Sequence, residues 1–182
     1  MARVGQEMVN SVTRERFVWR HTASSTNGAF VEFDLHLGEG AVVAGRHAHP
    51  NQREDFRVES GAILLRRDDQ EETLAPGDAR SVEPGVPHTW ANIASGDSHV
   101  VVRLTPALRS EQFFETFCAL AQAGSLNKKG LPRNPLQFAV WMHEYRDEVA
   151  SPSPLLRRAL APVLAVLAAV GRLGGLKADY PA

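Results

Sequence analysis

Polar and apolar positions along this chain follow two regimes that meet near residue 106. Before it, short runs of β-branched and aromatic residues alternate with turn-forming clusters. In AFVEFDLHL, residues 29–37, Phe33, Leu35 and Leu37 alternate with Glu32, Asp34 and His36. That period of two turns one face of a strand toward a core. Gly38 and Gly40 end the run. A short extended run over 17–19 precedes it, and AVVAGRHAHP, DFRVES, AILLRRD, ARSVEP, HTWANIA and HVVVRLTP follow. Gly61, Asp68-Asp69, Pro76-Gly77-Asp78, Pro84-Gly85 and Gly96-Asp97 separate them. Many short strands at regular spacing predict a sandwich or barrel. The first dozen residues read as loose.

After Pro106 the period lengthens to that of a helix. Ser110 is placed to cap a helix carrying Phe113, Phe114, Phe117 and Leu120 that stops near Gly124. Asn134 before Pro135 starts a second, running through Trp141 to about Val149. SPSP, residues 151–154, is a break. A third helical segment spans about 155–173, kinked or restarted at Pro162 and stopped by Gly174-Gly175. It contains the longest apolar run, ALAPVLAVLAAVG, between Arg158 and Arg172. The run is short for a bilayer and reads as a buried helix, with a membrane-surface helix as the lesser alternative. The expected organisation is a mainly β domain over 1–106 and a helical appendage over 107–182 packed on it.

Composition narrows the function classes. The 182 residues are 43% hydrophobic and 23% charged, which suits a globular chain able to bury a core. Lys+Arg number 20 against Asp+Glu 21, so there is no basic excess to neutralise phosphates, and neither nucleic acid nor a membrane is an expected partner. Cys118 is the single cysteine, which excludes an internal disulfide and fits a reducing compartment. The N-terminus lacks an apolar stretch of signal-peptide length, and the expected compartment is the cytoplasm.

The candidate chemistry lies in HAHPNQREDFRVESG, residues 47–61. His47 and His49, two apart on a strand, face the same side. Glu54 follows the short PNQR loop and can return on a neighbouring strand. Imidazole and carboxylate suit a borderline divalent transition metal. A fourth donor is His88, in PGVPHTWAN.

These residues resemble the two motifs of the cupin superfamily. The first motif corresponds to Gly40, His47, His49, Glu54 and Gly61, the second to Gly77, Pro84, Gly85, His88 and Asn92. Six residues separate Gly40 from His47, one more than in the usual pattern, and no ligand is lost by it. The resemblance covers about residues 30–104. It implies a single double-stranded β-helix, or jelly-roll, barrel with six strands or so in each sheet, followed here by a helical C-terminal extension of the kind found in a bacterial group of stand-alone cupins. It also implies that His47, His49, Glu54 and His88 bind one divalent transition metal: iron, manganese, nickel, zinc, copper or cobalt. Three imidazoles and one carboxylate leave coordination positions open, unlike a closed structural zinc site.

The remaining polar residues read more plainly. Phe56 and Trp90 are candidate pocket-lining residues. Arg103 is a candidate carboxylate anchor in that pocket, with a surface position as the more ordinary reading. His36 reads as a surface residue, and His21 and His99 have no visible partner. His143 and Asp147 share a helix face but lack further ligands. Glu144, Glu148 and Arg157-Arg158 read as solvated, Arg57 and Arg66-Arg67 as outward-facing, and Cys118 as a buried small hydrophobe. Asn92 reads as structural.

The function expected is that of a metal-dependent small-molecule enzyme of dioxygenase-like type, acting on an anionic or diol substrate. Isomerase, lyase or hydrolytic chemistry at zinc, manganese or nickel is an alternative, as is a non-catalytic ligand-binding or sensory cupin. No general acid or base stands out. Docking through the helical appendage is a third reading. A homodimer is expected from the extended N-terminal segment and an apolar appendage on a barrel with exposed edges.

Overall fold

The computed structural model describes residues 2–180, and for position 44 the backbone alone. Positions 1, 181 and 182 of the expected domain ranges lie outside the described residues. Ten strands come first: β1 (Glu7–Asn10), β2 (Glu15–His21), β3 (Val31–Leu37), β4 (Val42–His47), β5 (Arg53–Ser60), β6 (Ile63–Arg67), β7 (Gln70–Leu74), β8 (Ala79–Val82), β9 (His88–Asn92) and β10 (Ser98–Thr105). Three helices follow: α1 (Ser110–Gln122), α2 (Pro135–Glu144) and α3 (Pro154–Leu173). The strands form a six-stranded sheet in the order β1-β2-β3-β10-β5-β8 and a four-stranded sheet in the order β4-β9-β6-β7. Every pairing is antiparallel. The two sheets enclose the core of a jelly-roll barrel, unequal rather than with six strands each.

Alternation decides what faces inward. Phe17 and Trp19 of β2, Phe33, Leu35 and Leu37 of β3, Phe56 and Val58 of β5, and Val100, Val102 and Leu104 of β10 are all buried. The residues between them form an outward charge ladder: Arg16–Glu7, Arg20–Asp34 and Arg103–Glu32. Opposite charges on neighbouring strands stabilise each pairing modestly and keep this face wet. His36 belongs to this outer face, stacked on His99 at 4.4 Å, and His99 in turn bonds Asp34 at 2.6 Å. His21 meets the edge of Phe30.

Two local expectations change here. The N-terminal dozen residues are not loose: β1 pairs with β2, and Ala2 and Met8 are buried in the main core. The hairpin is held by Asn10, whose Oδ1 accepts from the N–H groups of Val12 and Thr13. The sequence offers only EMVN there, too short a run to outweigh a flexible-terminus reading. Strand β7, QEETL, shows one buried side chain, Leu74, and so carries no apolar alternation.

The helical region starts five residues beyond β10. Ser110 is the first residue of α1 rather than its cap; its hydroxyl accepts from Gln52 Nε2 at 2.8 Å, and no side chain caps the helix. Phe114 of α1 packs on Phe17 and Phe33 at 5.1 Å each, so α1 joins the barrel core. Asn134 does cap α2, accepting from Leu136 and Gln137. Helix α2 ends at Glu144, short of Val149, because the chain turns at Tyr145 to reach the barrel. Phe113 stacks on Trp141 at 4.7 Å and joins α1 to α2.

Helix α3 runs unbroken through Pro162 and lies on α2. Gly171 makes that approach close, since a Cβ there would stand 2.8 Å from Val140 Cγ2. The helix is not buried as expected: only Ala168 and Gly171 are, while Leu155, Leu156, Leu160, Val163, Val166, Val170 and Leu173 are exposed. The apolar run is longer than one contact face needs, and α2 covers one side only. With 20 residues and a mean hydropathy of 1.6, α3 is long and apolar enough to cross a membrane by length and composition alone.

Glu15 sits buried where β2 begins, accepting a short bond from the Thr13 hydroxyl. Burial pushes its carboxyl up to about 7 from 4.5, the Thr13 bond opposing. The folded protein therefore holds a proton there that the unfolded chain releases above pH 4.5. The Glu15 contribution to stability falls as pH rises from 4.5 through about 7, by at most about 3 kcal/mol, and is flat beyond. Glu15→Gln, which keeps shape without ionising, is expected to raise stability at pH 8 by about 1–3 kcal/mol and to flatten that slope. Denaturant unfolding at pH 5 and pH 8 checks both.

Candidate metal centre

Three of the four candidate donors are brought together by strand geometry. His47 ends β4 and stands directly across the ladder from His88, which begins β9. Glu54 is the second residue of β5, in the other sheet. His49 lies just past β4, two residues after His47. The donors thus come from both sheets and meet between them. One ligand atom from each of His47, His49, Glu54 and His88 lies within 4.8 Å of all the others. Among the described residues this is the one such group of three or more. Glu54, His49 and His88 are buried and His47 is half-buried.

The tautomers follow from the partners. A backbone carbonyl can only accept, so an imidazole nitrogen within bonding distance of one carries the proton. His47 Nδ1 donates to the Gly45 carbonyl at 3.0 Å, His88 Nδ1 to Val86 at 2.9 Å, and His49 Nδ1 to Glu148 at 2.5 Å. In the neutral rings all three Nε2 atoms then carry lone pairs, and all three point inward. His47 Nε2 lies 3.3 Å from His49 Nε2; Glu54 Oε2 lies 3.3 Å from His49 Nε2 and 2.7 Å from His88 Nε2. Lone pairs at such separations repel unless a cation or proton lies among them. Two donors each ~2.1 Å from a divalent metal at a right angle are about 3.0 Å apart, so the spacing fits one. The donor set, borderline nitrogen with one carboxylate, fits the same class of ion.

Electrostatics among the donors agree. Burial, then the neighbouring His49 and His88, pushes His47 down to about 3, so it stays neutral. Burial works against ionised Glu54, but His49 and His88 overcome it and hold the carboxyl well below its usual range. His88 is raised: burial opposes, and the bond to Glu54 prevails. Apart from burial and the Gly45 and Val86 carbonyls, the groups that set these protonation states are the donors themselves.

The other expected residues separate. Phe56 and Trp90 lie under the cluster, Phe56 with its ring 6.4 Å from His88 and 5.0 Å from Trp90. Arg103 does not line this space. It alternates with buried Val102 and Leu104, so it points outward, pairing with Glu32 at 2.7 Å and lying over Phe30 at 4.3 Å. His143 and Asp147 gain no third ligand among the described residues. Asn92 is structural: its Nδ2 donates to the carbonyls of Leu37, Gly38 and Gly96, and its Oδ1 accepts from Ser98 Oγ. Gly61 completes this knot, since a Cβ there would meet Ser98 Oγ at 2.1 Å. Cys118 is buried, and burial pushes its thiol up to about 12, far from a nucleophile.

Residues 33–103 match the family model described as the cupin domain. This barrel has the cupin fold. Among solved structures, the cupin resembles KdgF from Halomonas sp. at 17% identity and a TM-score of 0.52, covering 58% of this chain and 91% of that one. It also resembles an RmlC-like cupin from Shewanella frigidimarina at 17% identity and a TM-score of 0.51, covering 59% and 88%. At that identity the likeness is one of fold. No curated protein matches the chain.

Sequence reasoning missed two contributors to the site. Gln52, fully buried, donates to the carbonyls of Pro106 and Ala107 and to Ser110, tying the loop before Glu54 to the start of α1. It shares strand parity with Glu54, which was a usable signal. Glu148 read as solvated, yet it is buried and its carbonyl orients His49. A contact across 99 residues leaves no local trace.

Proposed function

We propose that His47, His49, Glu54 and His88 hold one divalent transition metal and that the protein is a metal-dependent small-molecule enzyme of dioxygenase-like type. The observation that carries the reading is the convergence of three inward Nε2 atoms and one carboxylate oxygen within 4.8 Å of one another, with nearest separations of 2.7–3.3 Å. A metal bound there supplies Lewis acidity or one-electron chemistry to a small molecule beside it. Glu54 supplies the single negative charge, and it stays ionised against its burial because the imidazoles face it. Phe56 and Trp90 form an apolar floor that limits water. The half-buried side of His47 is where a small anion or diol would approach.

Isomerase or lyase chemistry relies on a separate positioned acid or base. The groups acting on one another here are the four donors themselves, which favours chemistry carried by the metal. The same observation supports a second reading, a ligand-binding cupin in which the metal holds a small carboxylate.

Elemental analysis of protein purified without a nickel column tests the reading. One equivalent of metal is expected, lost in His49→Ala. Iron, with oxygen consumption across a panel of anionic and diol compounds, supports the dioxygenase; zinc, nickel or manganese without oxygen uptake supports the binding protein or redox-neutral chemistry. No metal in the wild type after reloading would sink both. Separately, Glu54→Gln keeps the shape but removes the charge, and competition titration should give metal affinity at least about 10-fold weaker.

A further inference from the structure

Each imidazole of the cluster is oriented by a carbonyl, but the three carbonyls differ in origin. Those of Gly45 and Val86 lie two residues before their histidines, so strand geometry alone supplies them. That of Glu148 comes from the segment between α2 and α3, outside the barrel. This segment is fastened to the HxH stretch at three further points. Ala150 N donates to the Ala48 carbonyl at 2.9 Å, Ala48 N donates to Ala150 at 3.1 Å, and Asn51 Nδ2 donates to Asp147 Oδ1 at 3.2 Å. Its far side is fixed to α1: Glu148 Oε1 accepts from Arg109 N, and Arg109 pairs with Glu144 and Asp179 and lies over buried Tyr145 at 5.2 Å.

We infer that residues 145–150 are a positioning strap, through which the helical appendage sets the tautomer of His49 and thereby the metal affinity of the barrel. Without the Glu148 carbonyl, His49 is free to protonate at Nε2 or rotate, and either removes one inward lone pair. Partners that fix a ligand's tautomer in this way are typically worth 10–100-fold in metal affinity. The inference rests on the proposed metal site for its consequence, but its geometry concerns the metal-free protein.

Two variants test it. Ala150→Pro removes the N–H that bonds Ala48; Asn51→Ala loosens the strap from an exposed position with little risk to folding. Nitrogen-15 NMR of the imidazoles in metal-free protein at pH 8 should show His49 protonated at Nδ1 in the wild type and shifted toward Nε2 in both variants. His47 and His88, with local carbonyls, should not change. Metal competition should show affinity about 10–100-fold weaker for Ala150→Pro. An unchanged His49 tautomer in both variants would overturn the strap. A wild type that binds no metal but shows the expected tautomers would overturn only the metal reading.

A different observation carries a second proposal. At 3.6 residues per turn, Leu155, Ala159, Pro162, Val166 and Leu173 share the centre of the α3 face turned away from α2. Leu155, Val166 and Leu173 are 80%, 63% and 90% exposed. Arg158 lies at the margin of this face, and Arg172 is committed to Glu144 at 2.6 Å. A membrane-surface helix needs a cationic polar face; here that face is occupied by α2, and the chain carries net charge −1. Two such bands, each about 30 Å long, would remove on the order of 1,000–1,500 Å² from water when paired, the range of a specific interface. A two-fold pairing matches apolar to apolar and buries no charge. We propose that α3 pairs with α3 of a second copy to form a homodimer.

Light scattering at micromolar concentration should give a dimer, and Val166→Glu a monomer with unchanged circular dichroism and thermal midpoint. A monomeric wild type would overturn the proposal, as would a monomer that sediments with phosphatidylglycerol–phosphatidylcholine vesicles. If Val166→Glu does not fold, Leu173→Glu at the helix end serves in its place, and a dimer that persists in it would count against α3.

Discussion

Lone pairs that face one another inside a barrel are the constraint on which this structure depends. Three imidazoles and a carboxylate converge at separations that their lone pairs keep only with a proton or a cation between them. The two sheets must hold them there, since His47 and His88 stand on one sheet and Glu54 on the other. The supports are visible. Carbonyls take each Nδ1 proton, the buried Gln52 anchors the loop before Glu54, and the Asn92–Ser98 knot joins β9 and β10 beside Gly61. Backbone rigidity is thus arranged around a cluster of lone pairs that a proton or a cation must bridge.

Polar groups divide the rest of the barrel. Outside, carboxylates and arginines alternate across strands and satisfy one another in water, where each pair contributes little. Inside, the aromatic layer of Phe17, Trp19, Phe33 and Phe114 excludes water and ties α1 to the strands. Arg103 illustrates the rule: one position of parity separates a pocket residue from a surface one, and burial of Val102 and Leu104 places it outside.

The appendage is not a decoration on the cupin. Through α1 it completes the core, through residues 145–150 it reaches a histidine of the cluster, and through α3 it presents an apolar face to its surroundings. Three roles on one segment explain why it is fastened at so many points, from Arg109 to Asp179.

The sequence by itself determined the alternating strands, the fold class and the membership of the cluster. Those depend on short-range periodicity and on ligand spacing within motifs, and both are written locally: His47 and His49 share parity, and Asn134 caps the helix that Pro135 begins. What only the tertiary structure decided depends on which segments meet. Strand β1 exists because β2 offers it an edge, α3 is exposed because one helix covers one side, and Glu148 is buried because a distant loop needs its carbonyl. Hydrogen bonds between segments far apart in the chain leave no pattern in either partner, so no reading of spacing or composition reaches them.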